Sequence, residues 1–381
     1  MAYDINSIAK KLLQSRNNMA ITKSEVNQFT GISVNRLTEL ESGKVEPTGD
    51  EILILSDVYK EDFRFFISNQ NISSSDTVNE LYRVNDASIN NLDRQAIQHF
   101  IYNSVNEQLV WDCLGKKTMP LNLPKLNQDR ITKADGIKTA KALRAILGYT
   151  AQQRCRNLYS DFRKIGIHIF RMNLNNSGLS GLFIKHPMAS KCILVNYDEN
   201  VYRQNFTLCH EVGHALMDGL VYNVSFEKQR NYREYRANAF ASEFLMPRNI
   251  LNQINIKTLD AEKLVVYACQ FRVNVEAFLI ALKSAELITE SKYHHLRSLN
   301  VKVPKSNQKD FELEDLSDRL RESYEMMYLH GLTPSYVRLC HEAYMKSLIS
   351  QERLSQMFDI TIYELPALLD AFKLKLNNEE I

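Results

Sequence analysis

The chain has no pair of closely spaced cysteines: Cys113, Cys155, Cys192, Cys209, Cys269 and Cys340 are scattered along it. That excludes a zinc ribbon or a Cys-x-x-Cys redox motif. Together with the lack of a signal-peptide pattern, it leads us to expect a reducing, cytoplasmic setting. No apolar run approaches the roughly 20 residues needed to span a bilayer, so no membrane is expected. Nor does charge of one sign dominate. Lys and Arg number 47 against 45 Asp and Glu, a net of +2, so any contact with nucleic acid must come from a local site rather than a global field. What is present is ordinary for a globular protein: 44% hydrophobic and 24% charged residues exclude a disordered chain, and 381 residues suffice for two or three domains.

The stretch with the clearest chemistry is Phe206-Thr-Leu-Cys-His-Glu-Val-Gly-His-Ala-Leu-Met217, which contains His210-Glu211-x-x-His214. Residues four apart on a helix share a face, so both imidazoles can reach one Zn²⁺ while Glu211 points at the open position of the metal. Phe206, Leu208, Val212, Ala215 and Leu216 supply an apolar face, and Gly213 lets a neighbouring backbone or a substrate approach closely. Three fixed residues recur by chance in roughly one chain of this length in a hundred, so the surroundings must decide.

Those surroundings include Glu234-Tyr-Arg-Ala-Asn-Ala-Phe-Ala-Ser-Glu-Phe-Leu-Met-Pro247, which reads as a second helix stopped by its proline. Two histidines need a third protein ligand and a position left open for water, and a carboxylate from a second helix provides the ligand. Glu234 is preferred because Asn238, one turn on, can hold a ligand histidine through its other ring nitrogen. Glu227 and Glu243 are the alternatives. A third histidine of the longer zincin pattern is missing, since position 220 is Leu220.

The segment from Arg203 to Met217, followed by Glu234-x-x-Ala-Asn-x-Phe-Ala-x-x-Phe-Leu-Met-Pro247, resembles the ImmA/IrrE metallopeptidases over roughly residues 130 to 290. The resemblance implies a gluzincin-like zinc peptidase with His210, His214 and Glu234 as metal ligands and Glu211 as general base. It also implies, as substrate, a partner repressor carrying a helix-turn-helix. Mn²⁺ or Fe²⁺ would suit the same donors as Zn²⁺. Candidates for stabilising the oxyanion are Tyr232, Tyr235 and His186.

Residues 1 to 70 read as five short helices. Ile5, Ile8, Ala9 and Leu12 form the first stripe, Thr22 and Ser33 stand at helix starts, Gly31 and Gly43 at turns, and Ile52, Leu53, Leu55, Val58 and Tyr59 face inward in a later helix. Ile21 to Gly43 resembles the XRE-type, repressor-like helix-turn-helix. In such a fold Ser33 opens the recognition helix, Asn35 and Arg36 reach base edges, and Lys23 and Lys44 lie near phosphates of operator DNA. Asn27 occupies a place where that family usually has alanine, and residues 1 to 70 carry ten acidic side chains against eight basic ones. The alternative is a module retired from DNA and kept as a protein-docking or homodimer surface.

The remaining chain yields a fold class of α+β, mostly helical. A five-helix amino-terminal module (1–70) is followed by a polar linker and connecting helix (71–130) with an apolar stripe from Leu92 to Leu114. The zinc peptidase unit (131–297) has helices over 133–147 and 152–164, then strands over 166–172, 179–185 and 191–196. Ser177 to Phe183 is either an edge that accepts an extended peptide or the plain edge of a meander. His168 is expected to be structural, whereas His186, near a turn, has the option of facing the cleft. Helices over 259–271 and 275–287 close the unit, and His294-His295 is a surface pair. A helical carboxy-terminal domain (298–381) carries a second helix-turn-helix rhythm over 349–365.

The expected function is therefore a zinc-dependent endopeptidase that cuts a specific partner, a helix-turn-helix repressor or antitoxin, in the control of a mobile element, stress response or toxin-antitoxin system. The competing expectation is a DNA-binding transcription regulator whose peptidase-like domain senses or docks a partner.

Overall fold

A computed structural model describes residues 4–68, 89–127, 130–174, 178–218, 227–313, 327–328 and 331–376, with the side chains of 227–230 excepted. The linker expected around Ser73 to Thr77, and Leu220, lie outside the described residues.

The amino-terminal module forms α1 (Ile5–Asn18), α2 (Lys23–Thr30), α3 (Val34–Glu41), α4 (Gly49–Tyr59) and α5 (Phe63–Ile67). The starts follow from local chemistry: Thr22 and Thr48 make reciprocal caps with Glu25 and Glu51, and the Ser33 hydroxyl accepts the N–H of Arg36. Their core is Ile8, Leu12, Val26, Leu37, Leu40, Leu55 and Tyr59. Leu53, expected inward, is 54% exposed, because Ile52, Leu55, Ser56 and Tyr59 define the buried face of α4. Asn27 is half-buried and donates to the carbonyl of Ile32, tying the turn between α2 and α3 where an alanine could not.

Helix α6 (Asn91–Cys113) matches the Leu92–Leu114 stripe, yet it buries Asn103, Ser104, Asn106 and Glu107 as fully as Ile97 and Phe100. It lies against the sheet. After α7 (Lys133–Ile146) and α8 (Leu158–Lys164) come β1 (Ile167–Met172), β2 (Gly181–His186) and β3 (Ser190–Asn196). The helix expected from residue 152 begins only at Leu158, since Asn157 caps it and the preceding residues turn, holding the guanidinium of Arg144 at the Gln153 carbonyl.

The sheet order is β1-β3-β2, with β1 parallel and β2 antiparallel to β3. The strand that follows β1 in the chain is thus placed at the far edge, and the sheet is not a meander. Alternation sends Ile169, Phe183, Ile193 and Val195 to one face and Phe170, Leu182, Ile184 and Leu194 to the other. Because both faces are covered, the strands read as nearly continuous apolar runs.

On the first face lie α9 (Val201–Met217) and α10 (Glu227–Leu245), followed by α11 (Arg248–Leu251), α12 (Ala261–Phe271), α13 (Val275–Ser284) and α14 (Glu290–Ser298). Helix α10 starts before the expected Glu234 and ends just before Pro247. Phe240 and Phe244 are completely buried, each contributing on the order of 1.5–3 kcal/mol by leaving water. Helix α10 is held between α7 and α9 at two glycines. A methyl on Gly136 would meet the Arg236 carbonyl oxygen at 2.2 Å, and one on Gly213 would meet the Ala237 Cα at 3.2 Å. On the second face, α15 (Pro334–Met345), α16 (Gln351–Met357) and α17 (Leu365–Ala371) join α6 in a separate core. The result is a mostly helical fold with a small mixed sheet between amino-terminal and carboxy-terminal helices.

No single helix among the described residues is long and apolar enough to cross a membrane. Helices α12 and α13 are apolar enough only as a pair bent by 90°, and they bury Leu264, Phe271, Phe278 and Leu279 inside the protein.

Candidate metal centre

Helix α9 begins at Asn200, whose side chain accepts the N–H of Tyr202, and its buried stripe of Leu208, Cys209, Val212 and Ala215 packs toward the sheet and α10. This leaves His210, Glu211 and His214 along a partly covered edge. The two ring Nε2 atoms lie 3.0 Å apart, and Glu234 of α10 reaches both: Oε2 is 3.2 Å from His210 Nε2, and Oε1 is 3.5 Å from His214 Nε2. One donor atom from each of the three residues falls within a common 4.8 Å. Gly213 is what lets α10 come this near. The carboxylate of Glu234 is still 45% exposed, against 16% and 15% for the imidazoles, so the cluster opens to solvent on that side.

The far nitrogens are occupied. Asn238 Oδ1 sits 3.0 Å from His210 Nδ1, and Asp218, the residue that caps α9 at its carboxyl end, holds His214 Nδ1. Arg236, wholly buried, binds Asp218 in turn and donates to the carbonyl of Met217 at 3.2 Å. Asn238 was legible in the sequence, but Asp218 and Arg236 were not singled out. The signal for Asp218 was available as its four-residue spacing from His214, whereas nothing local points Arg236 at it.

Electrostatics follow from these contacts. Burial disfavours a charged His214, but its bonds to Asp218 and Glu234 prevail and raise its pKa to about 10. The histidines hold Glu234 well below the usual carboxylate range against the opposing effect of burial. Burial also opposes ionisation of Asp218, yet His214 and Arg236 keep it low. Glu211 goes the other way. Desolvation raises it, reinforced by Glu234 and moderated by the histidines and by the backbone N–H of Phe183. Strand β2 thus starts beside this acid, and a methyl on Gly181 would lie 3.4 Å from Glu211 Cγ.

The donor set fits a divalent cation. Two neutral-capable imidazoles and a carboxylate, each imidazole fixed through its other nitrogen, form a group able to chelate Zn²⁺, Mn²⁺ or Fe²⁺. Residues 162–283 match the family model described as the IrrE N-terminal-like domain, Peptidase_M78. An IrrE/M78-family peptidase domain is present. The match contains β1 to β3, α9, α10 and the His-His-Glu cluster of this IrrE-type domain, and leaves α1 to α7 and α14 to α17 outside it. No curated protein matches the chain.

The other expected site residues fall elsewhere. Glu243 is 8% exposed and directed at the Arg248 N–H and Lys141, about 13 Å along α10 from Glu234; the side chain of Glu227 is outside the described residues. His186 shares the Leu182 and Ile184 face of β2, opposite Phe183, and so points away from the cluster. Its Nδ1 accepts the N–H groups of Met188 and Ala189 at 3.2 Å each, and burial with His168 nearby lowers it to about 4, which corrects the cleft-facing option. Tyr232 and Tyr235 are more than half exposed on α10. His294 and His295 are exposed on α14, as expected.

In the amino-terminal module, Asn35 and Lys44 are exposed and Ser33 is spent as a cap. Arg36 is bidentate on Glu51 at 2.8 Å and also donates to the Glu46 carbonyl, and Lys23 sits on Thr38 and Glu41.

Proposed function

We propose that the chain is a zinc-dependent endopeptidase that cuts one specific partner protein, a helix-turn-helix repressor or antitoxin. The observation that carries the reading is the convergence of His210, His214 and Glu234 beside Glu211, a half-buried carboxylate whose pKa desolvation raises. When bound, Zn²⁺ supplies Lewis acidity to a peptide carbonyl and lowers the pKa of a water. His210, His214 and Glu234 hold it, with Asn238 and Asp218 fixing the direction of the imidazoles. Glu211 accepts a proton from the attacking water and returns it to the departing amine, a role suited to a carboxylate that burial has made more basic. Among the described residues β2 is an edge strand, and we place an extended substrate strand along it, beside Glu211, which already takes the Phe183 N–H.

Selectivity for a partner is supported by the amino-terminal module. Its acidic balance and the pairing of Arg36 and Lys23 with carboxylates favour protein docking over phosphate binding. Incubation of the zinc-loaded protein with a repressor or antitoxin encoded beside its gene should give one or two discrete fragments and leave casein intact. Broad digestion of casein would remove the specific-partner reading. Salt-dependent operator binding with no cleavage would replace it with the regulator.

A further inference from the structure

Away from the metal centre, a cavity of about 390 Å³ opens between the carboxyl end of α6, the outer side of α8, Glu312 and the first turn of α15. Its size is within the range of small-molecule sites. The walls carry Arg163, Lys164 and Arg338 against one carboxylate, Glu312. That carboxylate is already committed: Oε1 accepts from Arg163 Nη1 at 2.5 Å, and Oε2 accepts from Arg171 Nη2 and the Tyr328 hydroxyl at 2.9 Å each.

Two of the three cations have partners: Lys164 is 2.8 Å from Asp161, and Arg163 is paired with Glu312 and donates to the Ile169 carbonyl, with only its buried Nε left without a hydrogen bond. Arg338 is exposed and makes no ion pair among the described residues. Pro334, Ser335 and Arg338 of the 12-residue helix α15 line the same space, and Ser160 and Ser335 add hydroxyl groups. Trp111, the sole tryptophan of the chain, half-buried at the end of α6, is the aromatic residue of the lining.

One uncommitted guanidinium, that of Arg338, in a cavity that also holds an indole suits a ligand that is anionic at one end and flat at the other. We propose that this cavity binds a mononucleotide, with the base against Trp111 and the phosphate at Arg338 and Lys164 beside the Ser160 and Ser335 hydroxyls. None of these residues belongs to the metal centre, so the site is independent of the peptidase reading.

The single tryptophan makes the test direct. Titration of the full chain with AMP or GMP should quench its fluorescence saturably, with calorimetry as the check where nucleotide absorbance interferes. Arg338→Ser should weaken binding about tenfold or more with an unchanged far-UV CD spectrum. Lys164→Ser is the second variant, expected to act in the same direction. Adenosine, lacking the phosphate, should bind at least about tenfold more weakly than AMP, and inorganic phosphate should displace AMP without quenching on its own. The proposal is overturned by any of three results: no saturable binding of either nucleotide up to about 10 mM, equal affinity for adenosine and AMP, or parental affinity in both variants. None of these readouts needs metal or cleavage.

Discussion

Two pairs of histidines lie on opposite sides of the same small sheet, and their surroundings explain why only one pair can serve a metal. His210 and His214 each spend one nitrogen, Nδ1, on a neighbour and leave the two Nε2 atoms 3.0 Å apart beside Glu234. His168 spends both: Nδ1 lies 2.7 Å from Glu107 and Nε2 2.9 Å from Gln108. His186 spends Nδ1 on a turn and is kept neutral by burial. A histidine becomes a usable ligand when one nitrogen is anchored and the other is left free to converge with its partners.

The sharpest way to break this comparison is to remove a converging nitrogen. The purified parent is expected to carry about one divalent ion per chain, and His210→Ala or Glu234→Ala should remove it, measured by elemental analysis, and abolish cleavage with it. Full occupancy in His210→Ala would move the metal elsewhere. Next, Glu211→Gln should keep the metal and the fold but lower the cleavage rate about 10²–10⁴-fold, because the amide cannot accept a proton. An unchanged rate would remove Glu211 from the reaction.

Loss of an anchor should matter less than loss of a ligand. Asp218→Asn should weaken metal binding about 10–100-fold in chelator competition, with Asn238→Ala at the low end of that range. Equal affinities in the parent and both variants would mean that the Nδ1 contacts do no orienting. Smallest at the metal is His168→Ala, which should leave occupancy intact. It should nevertheless cost about 3–5 kcal/mol in denaturant unfolding, since Glu107 is left buried without its partner. Metal loss in that variant would erase the distinction between the two sides.

Much of the helical fold was readable because its signals are local. Thr22, Ser33 and Thr48 start helices through their own side chains, and the strands announce themselves as apolar runs between turns. Helix periodicity places His210, Glu211 and His214 in the same way, whereas Glu234, on a second helix, is reached only through the need for a third ligand and the position of Asn238 one turn on. What escaped depends on pairing across the fold. Helix α6 reads as a connector because its stripe covers only part of what it buries; Asn103, Asn106 and Glu107 are interior too, bonded to the Gly331 carbonyl, Arg353 and His168 respectively. The direction of His186 needed the register of β2 against β3. Arg236, a charged residue in the middle of a helix, gave no hint that it would be wholly buried against Asp218.

The two glycine contacts of α10 bear on the thermodynamics of loading. With Gly136 and Gly213 letting backbones touch, the third donor is set at its distance by main-chain packing rather than by a swinging side chain. Little apolar surface then remains to be covered when an ion enters, and little conformational freedom remains to be lost. Calorimetry of metal uptake should accordingly return a heat-capacity change near zero, the signature of a chelate that is rigid before its guest arrives rather than folded by it.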